Sequence, residues 1–179
     1  MSIKDSIMNI FRKKPREPSL EEVKFKRYED YYGHFSIFHP KKWKYDPSVV
    51  IDEGAYAVVF HSNKSEALFR IGVETILPLK FDFAKYAKEE IEKPSSGMVS
   101  KACRAKFRKY PCYKTDYKYE SEGKRYRGEK LIFYTGDRVF SIFYTYPAEE
   151  KNLRKIFKYM AESLQINPAK TKIFKSPLP

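Results

Sequence analysis

Three histidines, two cysteines and a dense set of lysines and arginines are the side chains of this 179-residue chain whose types and spacing could do chemistry. His34 and His39 flank a short apolar stretch five positions apart, which on an extended chain sends them to opposite faces, poor placement for holding one metal ion. His61 closes another such stretch and lies near Asp52, Glu53 and Glu66 in sequence, which makes it the one candidate ligand for a divalent cation at the surface. Ordinary strand-end histidines, exposed or packed at a corner, are the expected reading of all three.

The two cysteines, Cys103 and Cys112, sit in "KACRAKFRKYPCYKTDYKY". Alternation groups Cys103 with Ala105 and Phe107, and Cys112 with Lys114, Asp116 and Lys118, so the two sulfurs are expected on opposite faces of a hairpin. No disulfide follows from that, and two thiols without a Cys or His cluster do not make a zinc site. The chain has no G-x-S-x-G, no H-E-x-x-H and no glycine-rich phosphate loop, and no paired carboxylates stand in a recognisable catalytic frame. "EGKRYRGEK" reads as a turn entering a strand. No catalytic residue, no cofactor and no enzyme activity are expected.

The basic side chains are a stronger signal. The net charge is +13, and residues 101–130 carry 11 Lys and Arg against 4 Asp and Glu, while residues 151–179 carry 7 against 1. Arg104, Lys106, Arg108, Lys114, Lys118, Lys124, Arg125 and Arg127 are the candidate binding residues, projecting from two adjacent strands and the following turn. Such a field attracts an acidic protein, nucleic acid or anionic lipid; a lysine-rich or heat-adapted proteome would produce the same excess. If Tyr110 and Tyr126 stand exposed beside these cations they could stack on bases, the physics of a single-strand nucleic-acid platform.

The elements that must position these residues are mostly strands. Aromatic residues make up 17% of the chain, with 15 Tyr and 14 Phe, the side chains that pack on a pleated, half-buried surface. Strands are expected at 22–28, 34–39, 47–51, 55–62, 67–76, 100–108, 112–120, 125–135 and 138–146. Phe69, Ile71, Val73 and Thr75 alternate with Arg70, Gly72 and Glu74, so that strand has one core face. "RVFSIFYTY" is apolar on both faces and suits a central strand. Helical spacing appears over 81–93, through Phe83, Tyr86, Ala87 and Ile91, and over 148–165 behind Pro147, through Leu153, Ile156, Phe157, Met160 and Leu164.

Three units are expected: residues 1–20 as an amphipathic helix over 2–12 and a basic linker, residues 21–166 as one α+β domain, and residues 167–179 as a basic, proline-punctuated tail. No secretory signal and no long apolar run is visible, which points to a soluble, cytoplasmic protein without a transmembrane segment.

Several segments carry a family resemblance in order. Residues 35–43 read "FSIFHPKKW", fitting F-x-I-x-x-P-x-x-W. The stretch from Lys109 fits G-x-P-A-Y-x-x-x-Y, with Lys109 and Cys112 in place of the usual Gly and Ala; "FSIFYT" fits Y-x-I-x-Y-T, and "ESLQI" fits a helix end of S-F-x-I. From about Tyr31 to Ile166 the chain thus resembles the PsbP-like superfamily, whose fold is shared by the photosystem II extrinsic subunit, the Ran-binding Mog type and many prokaryotic proteins. The resemblance implies an antiparallel sheet of about six to nine strands sandwiched between helices. It does not imply photosynthesis.

The expected function is a non-enzymatic binding or assembly module that meets a protein partner through its basic surface. The alternative is sequence-tolerant binding to nucleic acid or an anionic membrane through residues 101–130. Trp43, just beyond the Pro40 corner, reads as a hydrophobic plug against the sheet rather than a ligand wall.

Overall fold

A computed structural model of the chain describes residues 19–52, 54–76, 81–92, 98–99 and 102–167. The expectations for a helix over 2–12, its linker and the tail beyond Asn167 fall outside the described residues.

The domain is α+β. A short 3-10 turn, Leu20–Glu22, precedes β1 (Phe25–Glu29), and β2 (Phe35–Pro40), β3 (Lys44–Asp52), β4 (Ala55–His61) and β5 (Leu68–Thr75) follow. Helix α1 (Phe83–Glu92) interrupts the strands. Then come β6 (Met98–Val99), β7 (Cys103–Phe107), β8 (Tyr110–Ser121), β9 (Lys124–Tyr134) and β10 (Arg138–Pro147). Helix α2 (Lys151–Ser163) and β11 (Gln165–Ile166) close the domain.

The strands build two antiparallel sheets: an eight-stranded one in the order β3-β4-β5-β10-β9-β8, with β6 and β7 both on the outer side of β8, and a three-stranded one in the order β1-β2-β11. Strand β10 lies between β5 and β9, as its two apolar faces require. Side chains directly opposed in an antiparallel ladder share a face, so register decides what each face carries. On one face Ala87 and Ile91 of α1 pack with Tyr113, Ile132 and Val139. On the other, Ile156, Phe157 and Met160 of α2 pack with Phe69, Phe133, Phe140 and Tyr144, and Phe35 and Ile37 of the small sheet join them. The large sheet is therefore sandwiched.

Trp43 is 8% exposed and meets the Phe157 ring edge-on at 5.5 Å, wedged where the small sheet and α2 close over the core. Helix α1 is opened by Asp82, whose Oδ1 accepts from the Lys85 amide at 3.1 Å.

Four sequence-based expectations need correction. The segment 22–28 begins as a 3-10 turn and pairs only from Phe25. The segment 100–108 pairs as one strand over the narrower span Cys103–Phe107, and a two-residue strand outside it, β6, is also laid along β8. Pro147 does not open the final helix; it still pairs with Tyr126, and only after a turn does α2 start at Lys151. The helix also stops at Ser163, because Gln165 and Ile166 extend to pair with Ser36 and Phe35. Among the described residues no helix is long and apolar enough to cross a membrane.

Candidate functional site

The β7–β8 hairpin turns through Arg108 and Lys109, with Arg108 at φ 56°, and this two-residue loop fixes Phe107 opposite Tyr110 and Cys103 opposite Lys114. Cys103, Ala105, Phe107, Cys112 and Lys114 consequently share one face. The expectation that the sulfurs point to opposite faces is wrong: the turn length, not the alternation, sets the relation between the two strands. Neither cysteine is in a disulfide; Cys103 is exposed and Cys112 buried, where desolvation raises the Cys112 pKa to about 11.

The same register sorts the eight basic candidates. Lys114, Lys118, Arg125 and Arg127 are exposed on the sheet face that α2 covers. Arg104 and Lys106 lie on the opposite face; Arg104 Nε donates to the Tyr113 hydroxyl at 3.0 Å beneath α1. Arg108 donates to the carbonyl oxygen of Glu162 at 2.8 Å, satisfying a free acceptor in the last turn of α2. Lys124 binds Glu66, as does the Tyr126 hydroxyl, and the two together hold that carboxyl below its usual range. The eight are thus divided, and four converge.

The converging four meet an element that the strand-centred reading left out. Helix α2 buries Leu153, Ile156, Phe157 and Met160, so its outward face carries Lys151, Arg154, Lys155 and Lys158, all exposed. The signal was in the sequence, as the polar complement of the apolar stripe. Arg154 acts electrostatically on Glu129, Tyr144 and Tyr146, and Arg127 on Tyr146, which places Arg154 of the helix beside Arg127 of β9.

Acidic groups are interleaved with this basic face. Asp116 is directly opposite Glu129, and Glu120 directly opposite Arg125. Burial pushes the Glu129 carboxyl above its usual range, with Lys114 opposing and Asp116 adding to the shift. Lys118 and Arg127 face one another as like charges, as Asp116 and Glu129 do two positions along. The surface is a pattern of both signs with a positive excess.

The tyrosines expected beside the cations are engaged elsewhere. Tyr110 stacks on Phe133 at 5.9 Å, and Tyr126 stacks on Tyr119 at 4.9 Å. Each ring thus has a stacking partner, and Tyr110 also has Lys109 Nζ 5.4 Å from its centroid.

His61 pairs with Asp46, its Nε2 2.7 Å from Oδ2, while Glu66 is held by Lys124 and Tyr126. No group of three or more His, Cys, Asp or Glu among the described residues is placed to hold a metal ion.

No family model and no curated protein matches the chain. Solved structures do. Cyanobacterial PsbP (CyanoP) from Synechocystis sp. PCC 6803 is similar at 10% identity with a TM-score of 0.57, over 81% of this chain and 94% of that one. PA94, a Pseudomonas aeruginosa protein of unknown function, is similar at 14% identity and a TM-score of 0.52, over 80% and 98%. A protein from Bacteroides thetaiotaomicron VPI-5482 is similar at 19% identity and 0.51 over 80% of this chain; the match spans 49% of that protein, about half its length. Likeness at these identities concerns the fold, and the fold is PsbP-like.

Proposed function

We propose that the chain is a non-enzymatic binding or assembly module that docks a protein partner on the face formed by β8, β9 and the outer side of α2. The observation that carries this reading is the Lys118–Arg127 pair. Like charges directly opposite on a ladder destabilise it, and this pair and the acidic Asp116–Glu129 pair two positions along both carry that cost, which an outside partner of alternating charge would offset. Arg154 adds a third cation close by.

Two features favour a protein over a polyanion. Asp116, Glu120 and Glu129 would repel a phosphate backbone or a uniform anionic membrane, whereas a protein surface can present the complementary alternation. Tyr110 and Tyr126 are also already stacked, on Phe133 and Tyr119, which leaves less ring surface for bases. The PsbP-like fold of CyanoP is compatible with this role.

Retention of a specific protein on the immobilised full chain, from native cell extract treated with nuclease, tests the reading. Binding at low salt that is lost at high salt is expected, since exposed charges are screened over a Debye length of about 10 Å at 0.1 M. Retention that depends on nucleic acid surviving in the extract would replace the protein with a polyanion.

A further inference from the structure

The turn between β1 and β2, "EDYYGHF", lies far from the basic face, across β5 and β10 from β9, and assembles a second polar cluster. Asp30 is 5% exposed; its Oδ2 accepts from the Tyr56 hydroxyl at 2.6 Å and from the His34 amide at 3.0 Å, while Oδ1 has no partner. Tyr56 Oη is also 3.0 Å from His34 Nδ1. Because the Tyr56 proton is committed to Asp30, the hydroxyl oxygen is left to accept, so Nδ1 carries the hydrogen and donates. Nε2 of His34 is then a lone pair in fixed orientation. It makes no hydrogen bond among the described residues and, unlike both nitrogens of His39, is not sealed from solvent.

Around this base stand aromatic rings. Tyr32 lies 4.7 Å from Tyr56, 6.1 Å from the His34 ring and 5.2 Å from Tyr31, which crosses it at 84°. Tyr31 is 83% exposed and Tyr32 about half exposed, although large apolar rings on a turn gain nothing from water. The charges leave one carboxylate over. Buried Arg138 pairs with Asp137 at 2.9 Å, and among the described residues no cation is bonded to Asp30. Burial, and next the Arg138 charge, lower the His34 pKa, which keeps the ring neutral and accepting at neutral pH.

We propose that this turn binds an alkylammonium group, its N–H donating to His34 Nε2, its charge facing the Tyr31 and Tyr32 rings, and buried Asp30 supplying the counter-charge. Aromatic faces attract a cation, and a neutral imidazole accepts a hydrogen bond from one. The same head occurs on a free amine and on a lysine side chain. The site does not depend on the basic docking face.

Titration of the full chain with n-butylammonium, with Nα-acetyl-lysine methylamide and with neutral n-butanol, followed through the ring resonances of Tyr31, Tyr32 and His34, tests the proposal. Saturable shifts with either amine and none with butanol are expected. Tighter binding of butylammonium assigns the site to free amines, and tighter binding of the lysine derivative to a peptide. The exposed-site variant Tyr32→Leu should weaken butylammonium about fivefold to tenfold, the worth of a cation–π contact. His34→Gln, whose fold is checked by the Trp43 resonances, should weaken it as well. No saturable shift with either amine, equal shifts with butanol, or unchanged affinity in a folded Tyr32→Leu protein would overturn it.

Discussion

Lys118 stands directly across the β8–β9 ladder from Arg127, both side chains exposed and both on the face that α2 covers. The tight turn at Glu122 and Gly123, with φ of 51° and 72°, fixes this register, so the two cations cannot avoid each other by slipping one position. Arg127 is in turn opposite Tyr146, whose hydroxyl also feels Arg154. Three cations from three elements are thus gathered by topology.

The pair has opposite effects on folding and on docking. Lys118→Glu converts a like-charge cross-strand pair into an attractive one and should stabilise the domain by about 0.2–1 kcal/mol in denaturant melts. The same variant should weaken partner capture. A destabilised Lys118→Glu protein would mean that the two cations do not oppose one another in solution.

Trp43→Ala should cost about 3–5 kcal/mol, because it removes a buried ring from the Phe157 contact and leaves a cavity under α2. Chemical denaturation measures the loss. An unchanged melting temperature would show that the ring is dispensable to the core.

His39 carries a pH dependence. It is fully buried among Phe60 and Tyr45, among the described residues neither ring nitrogen makes a well-formed hydrogen bond, and Lys26 lies directly opposite it. Burial, and then Lys26, press its pKa from 6.5 down to about 4. The unfolded chain therefore takes up this proton near the ordinary histidine value and the folded chain only near the lower one. The group is neutral in both states at higher pH, and stability is lost progressively as pH falls between the two values, by about 3 kcal/mol in all. His39→Phe should flatten that slope and stabilise the fold. Melts at about pH 7 and about pH 5 check it, and equal slopes in wild type and variant would remove His39 from the account.

Gly128 sits between Tyr117 and Thr145 in the ladder, and a Cβ there would collide with the Tyr144 carbonyl oxygen. Gly128→Ala should destabilise the domain by about 1–3 kcal/mol, as overpacking does. Unchanged denaturant midpoints would show that β9 shifts freely against β10.

The strands were legible because alternation states which face is buried: Phe69, Ile71 and Val73 line the α2 side as their spacing requires. The helices were legible in the same way. What alternation cannot state is the register between strands. Cys103 and Cys112 were misplaced for that reason, and the basic residues were assembled into one surface that the two hairpin turns in fact divide. Arg108 and Lys124 are cations that tertiary contacts claim, from Glu162 and Glu66, 54 and 58 residues away. The Asp30–Tyr56–His34 chain escaped notice because Asp30 and Tyr56 are 26 residues apart and only the packing of the small sheet against β4 joins them.

Partner capture by charge-reversed full-length chains measures the docking claim most directly. Lys118→Glu with Arg127→Glu reverses the face beside α2, and Arg104→Glu with Lys106→Glu reverses the opposite face by the same amount. The proposed docking requires that the first variant lose the protein retained by the wild type at low salt while the second keeps it. Loss in the second variant with retention in the first, or equal losses from both, would contradict it.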